Sequence, residues 1–457
     1  MRLYHRLPTP ARSVAASAFG WYLRQWRYSA KTEALVAATL ERDHWPADRW
    51  RDYQQERLSF VLERAATRVP YYRDLWAKRR RMGDRASWAY LENWPILSKD
   101  RVRENPRAFV ADDCDPRRMF AEHTSGTTGK PLSLWWSRDT VRHWYALNEA
   151  RGRRWYGISR KDPWAIIGGR MVTPFGQRRP PFWVWNAGLN QLYMSAYHLA
   201  PDLVSSYLDA LARYRVTYLF GYSSGLHALA EAALRHGRTD LRMAVVITNA
   251  EPLLDYQRRA IGEAFRCPVR ETYGMAEIVA GASDCEHGAL HWWPEVGMLE
   301  VCDEDRPVAP GGLGDLVSTG LLNADMPLIR YRIGDSARLS AAACDCGRSL
   351  PLMESLEGRT DDLVITPDGR KVGRLDVVFK ENLPLAEAQI VQETRTRIRL
   401  RYVPAPGFTL QVIDDVRQRL QERLGQMEIV FEEVDQVPRG AFGKFRAVVS
   451  NLAFQEQ

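Results

Sequence analysis

Residues 123–131 read His-Thr-Ser-Gly-Thr-Thr-Gly-Lys-Pro, so hydroxyls, glycines and one cation crowd into the stretch from Thr124 to Lys130. Glycine lets a backbone approach a ligand closely and adopt conformations closed to other residues. The hydroxyls of Thr124, Ser125, Thr127 and Thr128, with the N–H groups of the chain around Gly126 and Gly129, make a donor-rich concavity for phosphate oxygens. Lys130 adds a point charge. The stretch is not a Walker A loop. That motif places four residues between its first glycine and its Gly-Lys-[Ser/Thr]. Here only Thr127 and Thr128 separate Gly126 from Gly129, and Pro131 follows the lysine. Composition alone also fits a surface turn.

On either side of this stretch the texture of the chain differs. Residues 1–105 read as mainly helical, with Ala34, Leu35, Val36 and Leu40, then Leu58, Val61 and Leu62, recurring at helical spacing. Val69-Pro70-Tyr71-Tyr72 interrupts that pattern. After about residue 115, short apolar runs alternate with helical segments. Trp164–Ile167, Thr217–Phe220 and Met243–Ile247 read as buried strands. Tyr222-Ser223-Ser224-Gly225 opens a helix that reaches about Arg235, and Leu253–Phe265 reads as another. This alternation predicts α/β layers. Residues 285–345 carry strand-like pieces with glycine-rich turns, and Glu357–Asp362 looks like a linker. The last 95 or so residues have a β-β-α-β pattern, with strands at Gln389–Glu393, Arg397–Val403 and Ile429–Val434 and a helix at Asp414–Leu424.

The chain has 457 residues, 45% of them hydrophobic and 26% charged, which is ordinary for a globular protein of more than one domain. No run approaches the roughly 18 apolar residues of a membrane-spanning helix. Ser13–Leu23 ends at Arg24 without a clear cleavage site, so no signal peptide is read and a cytoplasmic location is expected. The net charge of +8 is uneven: residues 1–110 hold 22 Lys/Arg against 12 Asp/Glu, and the remainder is slightly acidic. The densest point, Lys78-Arg79-Arg80-Arg81, reads first as a solvated helical face. A weak contact of the basic N-terminus with a membrane surface is the functional alternative. No nucleic-acid motif accompanies the charge, so no nucleic-acid partner is expected.

Five further motifs follow in order: Asn249-Ala250-Glu251-Pro252-Leu253, Tyr273-Gly274-Met275-Ala276-Glu277, Tyr331-Arg332-Ile333-Gly334-Asp335, Gly358-Arg359-Thr360-Asp361, and Pro438 through Gly443-Lys444 to Arg446. In this order and spacing, nearly the whole chain resembles adenylate-forming ligases. It resembles the phenylacetate–CoA ligase-like family, and within it the adenylating proteins associated with capsular polysaccharide biosynthesis. The resemblance implies an acyl-CoA synthetase-like α/β fold. A large N-terminal domain, residues 1–358, would precede a small mobile α+β domain, residues 359–457.

The resemblance also implies a chemistry. A carboxylate is a poor electrophile, so it would first be joined to AMP with loss of pyrophosphate, drawing on ATP and Mg²⁺. Thr124, Ser125, Gly126, Thr127, Thr128, Gly129 and Lys130 would hold the β- and γ-phosphates. Glu277 would ligate Mg²⁺. Ala250, Glu251, Pro252, Gly274 and Met275 would line the nucleotide site, and Tyr273 would lie against the adenine. Asp335 would accept hydrogen bonds from the ribose hydroxyls, with Arg359 helping. Asp361 would be the hinge, and Lys444 would bridge carboxylate and α-phosphate. Tyr222, Asn249, Ala250 and Met275 would border the acid. Trp183, Trp185, Trp292 and Trp293 could wall such a pocket or belong to the core. The acyl acceptor stays open among the CoA thiol, an amine of an amino acid or sugar, and a carrier protein, with CoA the first choice. A non-catalytic scaffold in envelope-polysaccharide assembly would share the fold, but retention of Glu277, Asp335 and Lys444 together speaks against it.

Cysteine spacing adds a separate expectation. Cys344 and Cys346 are too close for an ordinary disulfide, and Cys285, His287 and His291 precede them. Three cysteines and one histidine make a closed tetrahedral zinc set. By the family pattern the histidine is His291, after a short Gly-containing turn, rather than His287. Such a zinc would be structural. Buried free thiols are the alternative.

Overall fold

The computed structural model describes residues 2–452 apart from 124–131, 171, 175–176, 200–202, 304, 310, 360–363, 368–370, 373–374, 380–382 and 439–445. Six helices open the chain: α1 (Arg2–His5), α2 (Thr9–Arg27), α3 (Ala30–Arg42), α4 (Ala47–Arg68), α5 (Pro70–Arg81) and α6 (Lys99–Glu104). On α4 the apolar positions Leu58, Val61, Leu62 and Ala65 fall on one stripe and are buried. Each of the three larger side chains taken from water is worth about 1.5–3 kcal/mol. The Val69-Pro70 interruption is real but brief. The residue before a proline is pushed out of the helical region, and Val69 is extended at φ −98°, ψ 115°. Pro70 then serves as the first residue of α5, where a missing N–H costs nothing.

A hairpin of β1 (Phe120–His123) and β2 (Ser133–Trp136) sets His123 opposite Ser133. The Thr124–Lys130 stretch is therefore the connection of this hairpin, although it lies outside the described residues. Helix α7 (Arg138–Gly152) follows, N-capped by the Ser137 hydroxyl. Next come β3 (Trp164–Gly168), β4 (Trp183–Asn186), β5 (Gln191–Ser195), α8 (Val204–Arg213), β6 (Tyr218–Tyr222), α9 (Ser223–Arg235), β7 (Val245–Asn249), α10 (Asp255–Phe265) and β8 (Val269–Gly274). After these come the mostly antiparallel strands β9 (Gly281–Asp284), β10 (Leu290–Trp292), β11 (Gly297–Asp303), β12 (Arg306–Pro307), β13 (Leu313–Gly320), β14 (Tyr331–Ser340) and β15 (Leu352–Arg359).

These strands form one 13-stranded sheet in the order β12-β11-β13-β14-β15-β10-β9-β8-β7-β6-β3-β5-β4. From β8 to β5 the pairing is parallel. Strands covered on both faces read as continuous apolar runs, and Val245–Thr248 are all buried. Ala165, Ile167, Leu219 and Val246 of the sheet pack with Leu208, Leu226, Leu229, Ile261 and Phe265 of α8, α9 and α10. A second core joins α4 and α5 to the antiparallel part through Val61, Leu62, Tyr72, Trp76, Leu316 and Tyr331. Trp292 is buried in this second core and Trp293 in a separate cluster with Trp26 and Trp136, and Trp183 and Trp185 pack against Tyr207 and Tyr214. All four are packing residues.

The expected linker begins later than its composition suggests. β15 continues through Glu357 to Arg359, which stands opposite Asp335 in the sheet. A polar sequence can extend a strand when its backbone finds a partner. Beyond it, β16 (Val364–Ile365), β17 (Lys371–Val372), β18 (Leu385–Thr394), β19 (Arg397–Pro404), α11 (Leu410–Leu424), β20 (Glu428–Glu433) and β21 (Val448–Ser450) form a unit with its own core of Ile390, Leu400, Val416, Leu420 and Leu424. Its main sheet runs β20-β19-β18-β21. No helix among the described residues is long and apolar enough to cross a membrane.

Candidate active site and candidate metal centre

In open parallel sheets, ligands bind beyond the carboxyl ends of the strands. Tyr222, Asn249 and Gly274 end the adjacent parallel strands β6, β7 and β8, and Tyr222 is directly opposite Asn249. Two observations mark this edge as a binding place. Ala250 adopts φ 62°, a left-handed conformation rarely taken by a residue with a Cβ. The Asn249 Oδ1 atom is buried without a hydrogen-bond partner among the described residues. A buried acceptor left unpaired costs about 1–3 kcal/mol, which a ligand N–H or O–H would recover. Glu251 is committed locally: its carboxylate accepts from the Ser224 N–H at 2.9 Å at the start of α9, and its carbonyl accepts from the Ser223 hydroxyl at 3.1 Å. Gly274 faces Trp144, where a Cβ would stand 3.2 Å from the indole. Met275 is half-buried against the core.

Two acidic side chains face or follow the end of β8. The Tyr273 hydroxyl donates to Asp335 Oδ2 at 2.5 Å. Glu277 is buried, and Lys99 Nζ at 2.9 Å and the Tyr331 hydroxyl at 3.0 Å both engage its Oε1. Burial alone would raise the pKa of Glu277. The Lys99 ammonium, its hydrogen bond and the Tyr331 hydroxyl outweigh that and hold the carboxyl below its ordinary value. Glu277 is thus an ionised carboxylate inside the protein, with one oxygen doubly engaged. Lys99 had no signal in the sequence: it stands at the start of α6, and only the tertiary fold brings it to Glu277. Of the remaining expected site residues, Thr124 to Lys130, Asp361 and Lys444 lie outside the described residues, as does the side chain of Arg359.

The cysteine expectation meets a compact cluster. One ligand atom each from Cys285, His291, Cys344 and Cys346 lie within 4.8 Å of one another. The Cys285 and Cys344 sulfurs are 3.7 Å apart, and Cys346 Sγ is 3.3 Å from His291 Nε2. A tetrahedron with metal–sulfur bonds of about 2.3 Å has edges of about 3.8 Å, so the donor set fits a closed four-coordinate ion. The other ring nitrogen of His291 faces the Leu350 carbonyl at 3.1 Å, the orientation that leaves Nε2 for a metal. His287 is not part of this group. Burial lifts the Cys344 thiol to about 11. Burial opposes ionisation of Cys346 too, yet hydrogen bonds from Arg348 bring its thiol below the ordinary value.

The cluster is anchored to a buried ion network that the sequence did not reveal. Arg151 is fully buried and donates to Asp43 Oδ1 at 2.8 Å and to both oxygens of Glu295 at 2.7 and 2.9 Å. Arg42 adds a contact to Glu295 at 2.9 Å. The Trp155 indole donates to Asp43 Oδ2 at 2.7 Å and lies edge-on to His291. Ser349, three residues past Cys346, donates from its N–H to the Asp43 carbonyl at 2.8 Å.

Comparison with known proteins gives the same family from several directions. The AMP-binding enzyme family matches residues 46–324, and the CapK C-terminal domain matches residues 364–451. Protein CapK of Staphylococcus aureus is 26% identical over 398 residues, covering 84% of this chain and 85% of that protein. Phenylacetate-coenzyme A ligase of Thermus thermophilus is 26% identical over 345 residues, 70% of this chain and 72% of that one. Among solved structures, 2-hydroxyisobutyryl-CoA ligase in its postadenylation state superposes with a TM-score of 0.69 at 21% identity, covering 90% of this chain and 91% of the other. With family, relatives and fold in agreement, the chain belongs to the AMP-binding enzyme family, as an adenylate-forming ligase of the phenylacetate–CoA ligase-like CapK branch.

Proposed function

We propose that this protein activates a small carboxylic acid with ATP and passes the acyl group to a thiol, with CoA the first choice. In the first step a carboxylate oxygen attacks the α-phosphorus, the bond to pyrophosphate breaks, and an acyl-adenylate forms. The observation that carries this reading is the unpaired Asn249 Oδ1 at the carboxyl ends of β6, β7 and β8, beside the Tyr273–Asp335 pair. An acceptor and a carboxylate at that edge suit the amino and hydroxyl groups of a nucleoside. We assign Asp335 to the ribose hydroxyls, with Arg359 helping, and Tyr273 to the adenine. The tyrosine hydroxyl holds the carboxylate in place meanwhile.

Glu277 is the residue suited to Mg²⁺: it is an ionised carboxylate, and carboxylate oxygens are the ligands that hard cation takes. The ion would neutralise charge on the phosphates. Lys99 keeps Glu277 ionised within the interior. Thr124 to Lys130, as the β1–β2 connection, are assigned to the phosphates, and Lys444 to the carboxylate and α-phosphate. Residues 1–358 would form the large domain and 359–457 the small one, with Asp361 as hinge. Zinc on Cys285, His291, Cys344 and Cys346 would be structural and pin two loops. A cytoplasmic site of action follows from the use of ATP.

Amide formation on an amino acid or sugar is the second reading. The stretch Val364–Gly373 carries Asp368, Arg370 and Lys371, more polar than a lining for the pantetheine arm of CoA requires. ATP–pyrophosphate exchange across a panel of carboxylic acids tests the first step. Loss of CoA thiol, against loss of added amines, then identifies the acceptor. Absence of exchange with every acid in the panel would overturn the reading.

A further inference from the structure

Helix α2 presents an apolar face to solvent. Its exposed residues include Val14, Ala15, Ala18, Phe19, Trp21 and Tyr22, and Phe19 and Trp21 are about half exposed, at 50% and 53%. At 100° per residue these positions fall within one continuous sector of the helix. The other side, with Gly20, Leu23 and Arg27, is buried, and Trp26 is buried under the edge of the exposed sector. The helix cannot turn to hide its outer face. A Cβ on Gly20 would stand 1.9 Å from Asn186 Oδ1, and one on Gly188 2.3 Å from the Trp21 nitrogen, so α2 is seated hard on the β4–β5 turn. Monomeric proteins rarely leave such a face uncovered without a use for it.

The surroundings say what covers it. The first 32 residues contain Arg2, Arg6, Arg12, Arg24, Arg27 and Lys31 and no acidic residue. Arg24 lies over the Trp21 ring at 5.3 Å, and Arg138 donates to the Tyr22 hydroxyl at 3.1 Å. Directly beside the face, a cavity of about 170 Å³ is lined by Arg24, Arg160, Lys161 and Tyr28. Arg160 is held by Glu33 at 2.6 Å, whereas Arg24 and Lys161 have no carboxylate partner among the described residues. Rigid aromatic side chains flanked by cations, with a basic cavity at their edge, match the boundary between acyl chains and anionic headgroups.

We propose that α2 docks this enzyme onto an anionic lipid surface, with Phe19 and Trp21 entering the headgroup–acyl boundary and the Arg24–Lys161 cavity receiving a lipid phosphate. The test is co-sedimentation of the full chain with vesicles of phosphatidylcholine alone or mixed equally with phosphatidylglycerol. Binding is expected only to the mixed vesicles, and about 1 M salt should release most of it, as the Debye length shrinks to about 3 Å. The F19E/W21E variant should bind at least tenfold more weakly. R24Q and K161Q should each lose about fivefold, the worth of one cation near such a surface. Unchanged melting temperatures would show that these variants fold, and F19S/W21S replaces the glutamate pair if it does not. No binding to mixed vesicles, or binding indifferent to these substitutions, overturns the proposal. So does a dimer in light scattering that F19E/W21E disperses, which would assign the face to a second copy of the chain.

Discussion

Replacing Arg151 with methionine should destabilise the large sheet domain by about 3–5 kcal/mol, the usual cost of removing one partner from a buried ion cluster. The guanidinium is fully buried and makes three hydrogen bonds of 2.7–2.9 Å to two carboxylates. At an effective dielectric near 20, each of the two charge pairs is worth about 4 kcal/mol in attraction. Much of that is offset in the wild type by the cost of burying the arginine. The variant keeps the cost of two buried carboxylates and loses their common partner. Glu295 retains Arg42 and Asp43 retains the Trp155 indole, which keeps the loss near this range. Urea unfolding followed by tryptophan fluorescence would measure it. The R151M/E295M variant removes one stranded charge and should recover at least half of the loss, a non-additivity that reports direct coupling. A loss below about 1 kcal/mol for R151M, or no recovery in the double variant, would refute the reasoning.

Glu277→Gln should lower ATP–pyrophosphate exchange by about a hundredfold while leaving the melting temperature within a few degrees; exchange at the wild-type rate would remove Glu277 from the metal's coordination. Freshly purified protein should hold about one zinc per chain by mass spectrometry, and Cys344→Ser should lose the metal and melt earlier, because a structural site contributes folding free energy; metal-free wild type would end this assignment. Burial opposes ionisation of Glu295, but Arg151 and Arg42 hold its pKa below the ordinary value. A depressed carboxylate stabilises above its unfolded pKa of about 4.3 and loses that contribution as pH falls through the folded value. Wild type should therefore exceed Glu295→Gln in stability at neutral pH, with the gap closing in acid below about pH 4; a gap constant with pH would contradict the linkage.

Much of the α/β frame was legible because its signals are local. Short β-branched runs such as Val245–Ile247 suit strands covered on both faces, and the Ser223 start of α9 is written in its own residues. The cysteine cluster was legible for a different reason, since few other uses exist for Cys344 and Cys346 at that spacing. What stayed hidden is long-range electrostatics. Lys99 is unremarkable in its neighbourhood, and the motif that singles out Glu277 does not point to it; the Arg151 network draws on α3, α7 and the loop before β11. Linker composition misled at Glu357–Arg359, because hydrogen bonding to β14 overrides a polar sequence. Exposure was equally unreadable: nothing in the sequence says that Gly20 takes the inward side and leaves Phe19 and Trp21 exposed.

The pairing of Asp335 with Arg359 across β14 and β15 has a mechanical consequence. Arg359 is where the chain leaves the large sheet on its way to the C-terminal unit. The carboxylate assigned to the ribose therefore shares a rung of the ladder with the tether of that unit. A sugar held by Asp335 would bear directly on this rung. Arrival and departure of the nucleotide would thus be felt at the tether as a change in how firmly it is clamped, with no separate relay needed between the two.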